Sequence, residues 1–94
     1  FLLFMKKVII SVLGKDAVGI IAKVCNHLAE NNISIMDISQ TIIQGYFNMM
    51  MIVDMTHSST ELADLQKDMD LIGEQIGVQI KCQREEIFNK MHRV

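Results

Sequence analysis

The chain has 94 residues, half of them hydrophobic, with a formal net charge of −2 and a sequence pI near 5.8. That length supports one domain with a single core, and so small a domain gains from any second layer of burial, such as another copy of itself. The basic residues are scattered through a slightly acidic sequence, which argues against a phosphate backbone as partner and so against nucleic acid.

No apolar stretch approaches the roughly 20 residues needed to cross a bilayer, so no membrane partner is expected. Phe1-Leu2-Leu3-Phe4 is too short for the hydrophobic region of a signal peptide and precedes Met5, which reads as a start. Residues 1–4 are therefore read as upstream sequence and residues 5–94 as the domain. Cys25 and Cys82 lie on apolar faces without a metal-type pair, the pattern of buried thiols in a reducing compartment, and a cytoplasmic location is expected.

Val8-Ile9-Ile10-Ser11-Val12-Leu13 is a β-branched run bounded by Gly14, which predicts a strand. Val18, Ile21, Ala22, Cys25, Leu28 and Ala29 recur at helical spacing and predict a helix after it. Gly14-Lys15-Asp16-Ala17-Val18-Gly19-Ile20 is thus a strand-to-helix loop. The first turn of a helix presents N–H groups without intrahelical partners, and the macrodipole adds roughly half a positive charge there, so a carboxylate would be held. Asp16 is equally placed to cap those groups with its own side chain. Gly19, inside a first helical turn, costs up to about 1 kcal/mol relative to Ala, which predicts close approach by a ligand or a second chain.

Glu30-Asn31-Asn32 breaks the helical pattern, and Ile33 to Ile43 sets five isoleucines among Ser, Thr and Asp, as in a half-buried strand. Gln44-Gly45 marks a turn into Tyr46–Met55, the second strand of a hairpin, with Phe47, Met49, Met51 and Val53 on one face and Met50 and Ile52 on the other. Ser58 followed by Glu61 predicts a reciprocal cap for a second helix. Leu62, Leu65, Met69, Ile72 and Ile76 form its apolar stripe, opposite Glu61, Asp64, Asp68 and Gln75, and Gly77 falls just past its end. Val78, Ile80 and Cys82 alternate with Gln79, Lys81 and Gln83, a last strand with one wet face. The tail from Arg84 to Val94 places Ile87, Phe88 and Met91 on a short helical face, with docking and disorder both open.

The order strand, helix, strand, strand, helix, strand predicts the α+β class: a ferredoxin-like βαββαβ sandwich with a four-stranded antiparallel sheet, two helices on one face and a short C-terminal helix. The first and third strands, apolar on both faces, would be central. The other sheet face would be bare, so a homodimer is expected through it, with side-by-side pairing of edge strands as the other geometry. Burying one large aliphatic side chain is worth roughly 1.5 to 3 kcal/mol, so several at an interface rival the stability of a small domain.

Three segments make the chain resemble the ACT domain family, in particular its small single-domain bacterial members of uncharacterised role: Val12 to Ala22, Asn31 to Thr41 and Gly45 to Met49. The resemblance runs from Met5 to about Val94. It implies a regulatory module, with no chemistry of its own and no cofactor, that binds an amino acid or similar small carboxylate between two subunits. Carried over by position, the backbone of Asp16, Ala17, Val18, Gly19 and Ile20 would receive the carboxylate, and Asp16 or Asp37 the ammonium group. Ile35, Met36 and Asp37 would come from the neighbouring chain. Ala17-Val18 departs from the Arg-Pro found in many such loops. The regulated partner protein is not implied.

Other functions would ask different things of the same residues. A ligand-free protein–protein interaction module would use Gly19 for contact between chains. An acylphosphatase-like enzyme would need Arg in the first loop to grip a phosphoryl group, and that loop offers Lys15 alone. A ferredoxin-like metal carrier would want two closely spaced Cys in the loop, and an RNA-binding sheet would want exposed aromatics on its central strands. His27 shares a polar helix face with Lys23 and Glu30 and is read as solvated, and no His has a metal-spaced partner.

Overall fold

Runs that alternate apolar and polar residues can pair only in a register that turns every apolar side chain the same way, and this chain builds its sheet on that rule. In a computed structural model, residues 6–15 and 19–86 are described. They form β1 (Lys7–Lys15), α1 (Ile20–Glu30), β2 (Ser34–Ile43), β3 (Tyr46–Asp54), α2 (Leu62–Ile76) and β4 (Val78–Arg84). All pairings are antiparallel, in the order β2-β3-β1-β4, so the first and third strands are central. The fold is the predicted βαββαβ sandwich.

One core holds it together. Val8, Ile10 and Val12 of β1, Phe47, Met49, Met51 and Val53 of β3, and Val78, Ile80 and Cys82 of β4 meet Ile20, Val24 and Leu28 of α1 and Leu65 and Met69 of α2. Both helices therefore share one sheet face. Ile9, on the opposite face, is nevertheless only 5% exposed, whereas Leu13 and Met50 on that same face are 52% and 41% exposed. The face expected to be bare is bare at one end only.

Several expectations need correction. The buried stripe of α1 is Ile20, Val24 and Leu28, while Ile21, Ala22 and Ala29 face outward and Cys25 is half-buried. Packing on the sheet selects the i, i+4, i+8 row Ile20, Val24 and Leu28 as the inward face. Gly19 stands before the helix as its N-cap, with φ +87°, and an added Cβ would meet nothing within 4 Å among the described residues. Its left-handed backbone is by itself a reason for Gly, since a Cβ penalises that conformation. Gly14 lies within β1, where a Cβ would come within 2.7 Å of Val78 Cγ1.

The reciprocal cap at α2 does not form. Glu61 is the N-cap without a side-chain cap bond, and Ser58 Oγ instead binds within its own turn, accepting from Thr60 N–H and donating to Thr60 C=O. β2, expected to be half-buried, has all ten residues exposed, and only Ile33 just before it is buried. His27, read as solvated, is half-buried and lies 2.9 Å from Asp68 Oδ2, joining α1 to α2. Residues 87–94, with Ile87, Phe88 and Met91, and residues 1–5 lie outside the described residues. Among the described residues no helix is long and apolar enough to cross a membrane.

Candidate functional site

The loop between β1 and α1 delivers the chain to the N-terminal end of an 11-residue helix. Gly19 makes the turn in its left-handed conformation, and the first intrahelical bond runs from Lys23 N–H to Gly19 C=O at 2.9 Å. The amides of Ile20, Ile21 and Ala22 precede that bond and point out of the helix end. Ile20 anchors the end by burying its side chain. Ile21 and Ala22 are left at the surface, where they form one wall of an open groove of about 740 Å³.

Across the groove stand Gln40, Thr41 and Ile42 of β2, with Phe47 of β3 at its floor. Ile42 pairs with Phe47 across the hairpin. The tight Gln44-Gly45 turn, with φ +52° and +83°, sets that register. Among the described residues, none that lines the groove carries a charge. Attraction for an anion therefore comes from backbone amides and the helix end, with apolar walls for the remainder of a ligand.

Of the residues expected to form the site, Gly19 and Ile20 line this groove, while Asp16, Ala17 and Val18 lie outside the described residues. Ile35, Met36 and Asp37 lie at the other end of β2, opposite Val53 and Ile52. At about 3.3 Å per residue, Ile35 is roughly 23 Å along the strand from Ile42. One protomer does not bring the two sets together. Met36 sits at a register irregularity, and Asp37 Oδ1 accepts a 2.8 Å bond from Ile38 N–H. Ile21, Ala22, Gln40, Thr41, Ile42 and Phe47 were not anticipated as site residues, although the hairpin register puts Ile42 beside Phe47.

A second, more polar hollow is lined by Lys6, Lys7 and Arg84 together with Glu61, Glu85 and Glu86, so its charges offset one another. Near it, the carboxyl of Asp54 is held below its ordinary range, chiefly because the Thr56 hydroxyl and then the Thr56 N–H donate to it. Burial pushes the Cys82 thiol up to about 12, with nearby Asp70 adding to the shift, so it is neutral and a poor nucleophile. Cys25 and Cys82 are both free thiols. Among the described residues, no three His, Cys, Asp or Glu side chains gather where they could share a metal ion.

The profile of the ACT domain matches residues 6–83, from the start of the sheet to its last strand. The chain belongs to the ACT domain family. Within it, the chain is 54% identical over 90 residues to a UPF0237 protein of Bifidobacterium longum, covering 96% of this chain and all of that one. An ACT domain protein from Streptococcus pneumoniae superimposes with a TM-score of 0.77 at 37% identity, covering 88% of this chain and 93% of that one. The regulatory subunit of aspartate kinase from Thermus thermophilus shares the fold at a TM-score of 0.63 and 22% identity, over 83% of this chain and 50% of that subunit. This ACT domain thus has relatives of its own length and a fold neighbour inside a regulatory subunit.

Proposed function

We propose that this ACT domain is a cytoplasmic regulatory module that performs no chemistry and binds a free amino acid or a similar small carboxylate as a homodimer. The ligand carboxylate meets the amides at Gly19, Ile20 and the residues just before them, and its side chain lies along Ile21, Ala22 and Ile42. The observation that carries this reading is the groove joining the α1 N-terminus to an exposed β2, lined by uncharged side chains among the described residues. The family membership and the aspartate kinase neighbour are in keeping with it.

The second chain enters along β2. Two copies paired antiparallel about Ser39 place Asp37 of one opposite Thr41 of the other, Met36 opposite Ile42 and Ile35 opposite Ile43. This arrangement carries the neighbour's Ile35, Met36 and Asp37 to the groove, which a single chain cannot do. It leaves the neighbour's Asp37 beside the ligand's ammonium group, away from a second Asp37. Pairing would also cover Ile35, Met36, Ile38, Ile42 and Ile43, which are 42% to 65% exposed in one protomer.

Millimolar affinity needs about 4 kcal/mol, within reach of two charge-assisted hydrogen bonds of about 1.5 to 3 kcal/mol each, before the costs of association. A thermal-shift screen of free amino acids followed by calorimetry tests the reading: at least one should raise the melting temperature at millimolar concentration. No stabilisation by any of them overturns it. The apolar walls favour one second reading, a ligand-free interaction module in which a neighbouring chain packs dry against Ile21, Ala22 and Ile42. In that case the dimer forms and every amino acid fails.

A further inference from the structure

A four-stranded sheet has two edges, and each offers a row of backbone groups on which another strand can add. Here the edges are treated differently. On β4 the side-chain amide of Gln66, reaching over from α2, takes the place of a neighbouring strand. Its Oε1 accepts from Cys82 N–H at 2.7 Å, and its Nε2 donates to Ile80 C=O at 2.9 Å. The other Nε2 hydrogen goes to Asp70 Oδ1 at 2.8 Å, one turn along the same helix. Every hydrogen-bonding direction in which the amide is used has a partner, and the chemistry of those partners sets which end is oxygen and which is nitrogen.

Among the described residues, β2 has no such visitor from another element. Ile38 N–H, on its outer side, is bound by the adjacent Asp37 carboxylate. By strand alternation the N–H and C=O groups of Gln40 and Ile42 point the same way. The stretch Ser34–Ile43 contains no Lys, Arg or Pro, the residues by which edge strands are usually protected.

We propose that Gln66 is an edge plug: it denies β4 to a second chain, so that copies add through β2 alone and assembly closes at two. A chain with two competent edges could add neighbours at both and grow as an open array, whereas one competent edge can form only a two-fold pair. The occupant of the open edge, a second copy, rests on the β2 pairing proposed above. The blocking of β4 does not.

Light scattering on Gln66→Leu and Gln66→Ala, each checked for native circular dichroism, tests the plug against the mass of the unsubstituted protein at the same concentration. Opening the edge should raise the mass at least twofold and make it climb with concentration. Folded variants that keep the unsubstituted mass at every concentration overturn the proposal. Two variants are used because Leu fills the vacated space and Ala suits the helix, so at least one should fold. Gln40→Pro removes an outward donor of β2 and should return the protein to a monomer, and adding Gln66→Leu to it should restore association through β4. A monomeric unsubstituted protein would sink the β2 pairing, and in that case Gln66→Leu should still raise the mass.

Discussion

The two edges of this sheet are made from similar strands and end in opposite conditions. β4 turns Val78, Ile80 and Cys82 into the core, keeps Gln79 and Lys81 outward and is bonded along its rim by Gln66. β2 carries as many isoleucines as any strand in the chain and buries none of them. The difference lies in what the helices reach. α2 packs on β4 closely enough that Gly73 has no room for a Cβ, which would lie 2.5 Å from Val78 C=O. α1 begins at Ile20 with Ile21 and Ala22 facing away from the core, and the resulting gap to β2 is the groove. A small domain that leaves one apolar edge uncovered has the means to put a ligand between two copies of itself.

The sharpest way to break the comparison is on the β4 side. Gly73→Ala should cost about 1 to 3 kcal/mol, because the methyl must displace backbone, read as a lowered urea midpoint. At Gly19 no described residue crowds the position of a Cβ, and the backbone conformation resists one. Gly19→Ala should therefore cost about 1 kcal/mol, and it should weaken amino acid binding by altering the helix start. On β2, Ile42→Ala should change the stability of a dissociated protomer by less than about 0.5 kcal/mol, as an exposed substitution does. The same variant should weaken the dimer in dilution experiments, so the two readouts separate the edge from the core.

Acid and alkali give smaller, signed effects. Cys82 titrates at about 12 in the folded protein against an ordinary 9.0. An unfolded chain ionises first, so this group's contribution is intact below pH 9.0 and is lost as pH rises towards about 12. Alkylation should accordingly be slower at Cys82 than at half-buried Cys25, as counted by mass spectrometry. Asp54 is shifted down, so its contribution is present above the ordinary carboxylate pKa and is lost as pH falls through the lowered value. Thr56→Val should lower the denaturation midpoint at neutral pH, and the gap to the unsubstituted protein should narrow on acidification.

What could be read from the sequence was what local patterns encode. Strand and helix order, the central strands, the inward row Phe47, Met49, Met51 and Val53, and Gly77 as a left-handed helix end all follow from periodicity and turn chemistry. Misses came where competing partners decided the outcome, some of them neighbours in sequence and some distant. Ser58 chose its own turn over Glu61, His27 found Asp68 across the helix pair, and nothing near Gln66 in sequence announced that its amide would cap a strand fourteen residues away. At the candidate site, periodicity points to Gly19 inside the first helical turn, whereas it stands just before the helix and carries a conformational demand of its own. Ile35, Met36 and Asp37 belong with it only if a second chain supplies them.

Amide chemical shifts during titration with the amino acid that most raises the melting temperature test the central claim most directly. The account predicts saturable shifts at Gly19, Ile20, Ile21 and Ala22 together with Asp37 and Thr41, and their loss in Gln40→Pro, where the pair is broken. Shifts that leave the α1 end untouched, or that survive unchanged in a monomer, would contradict it.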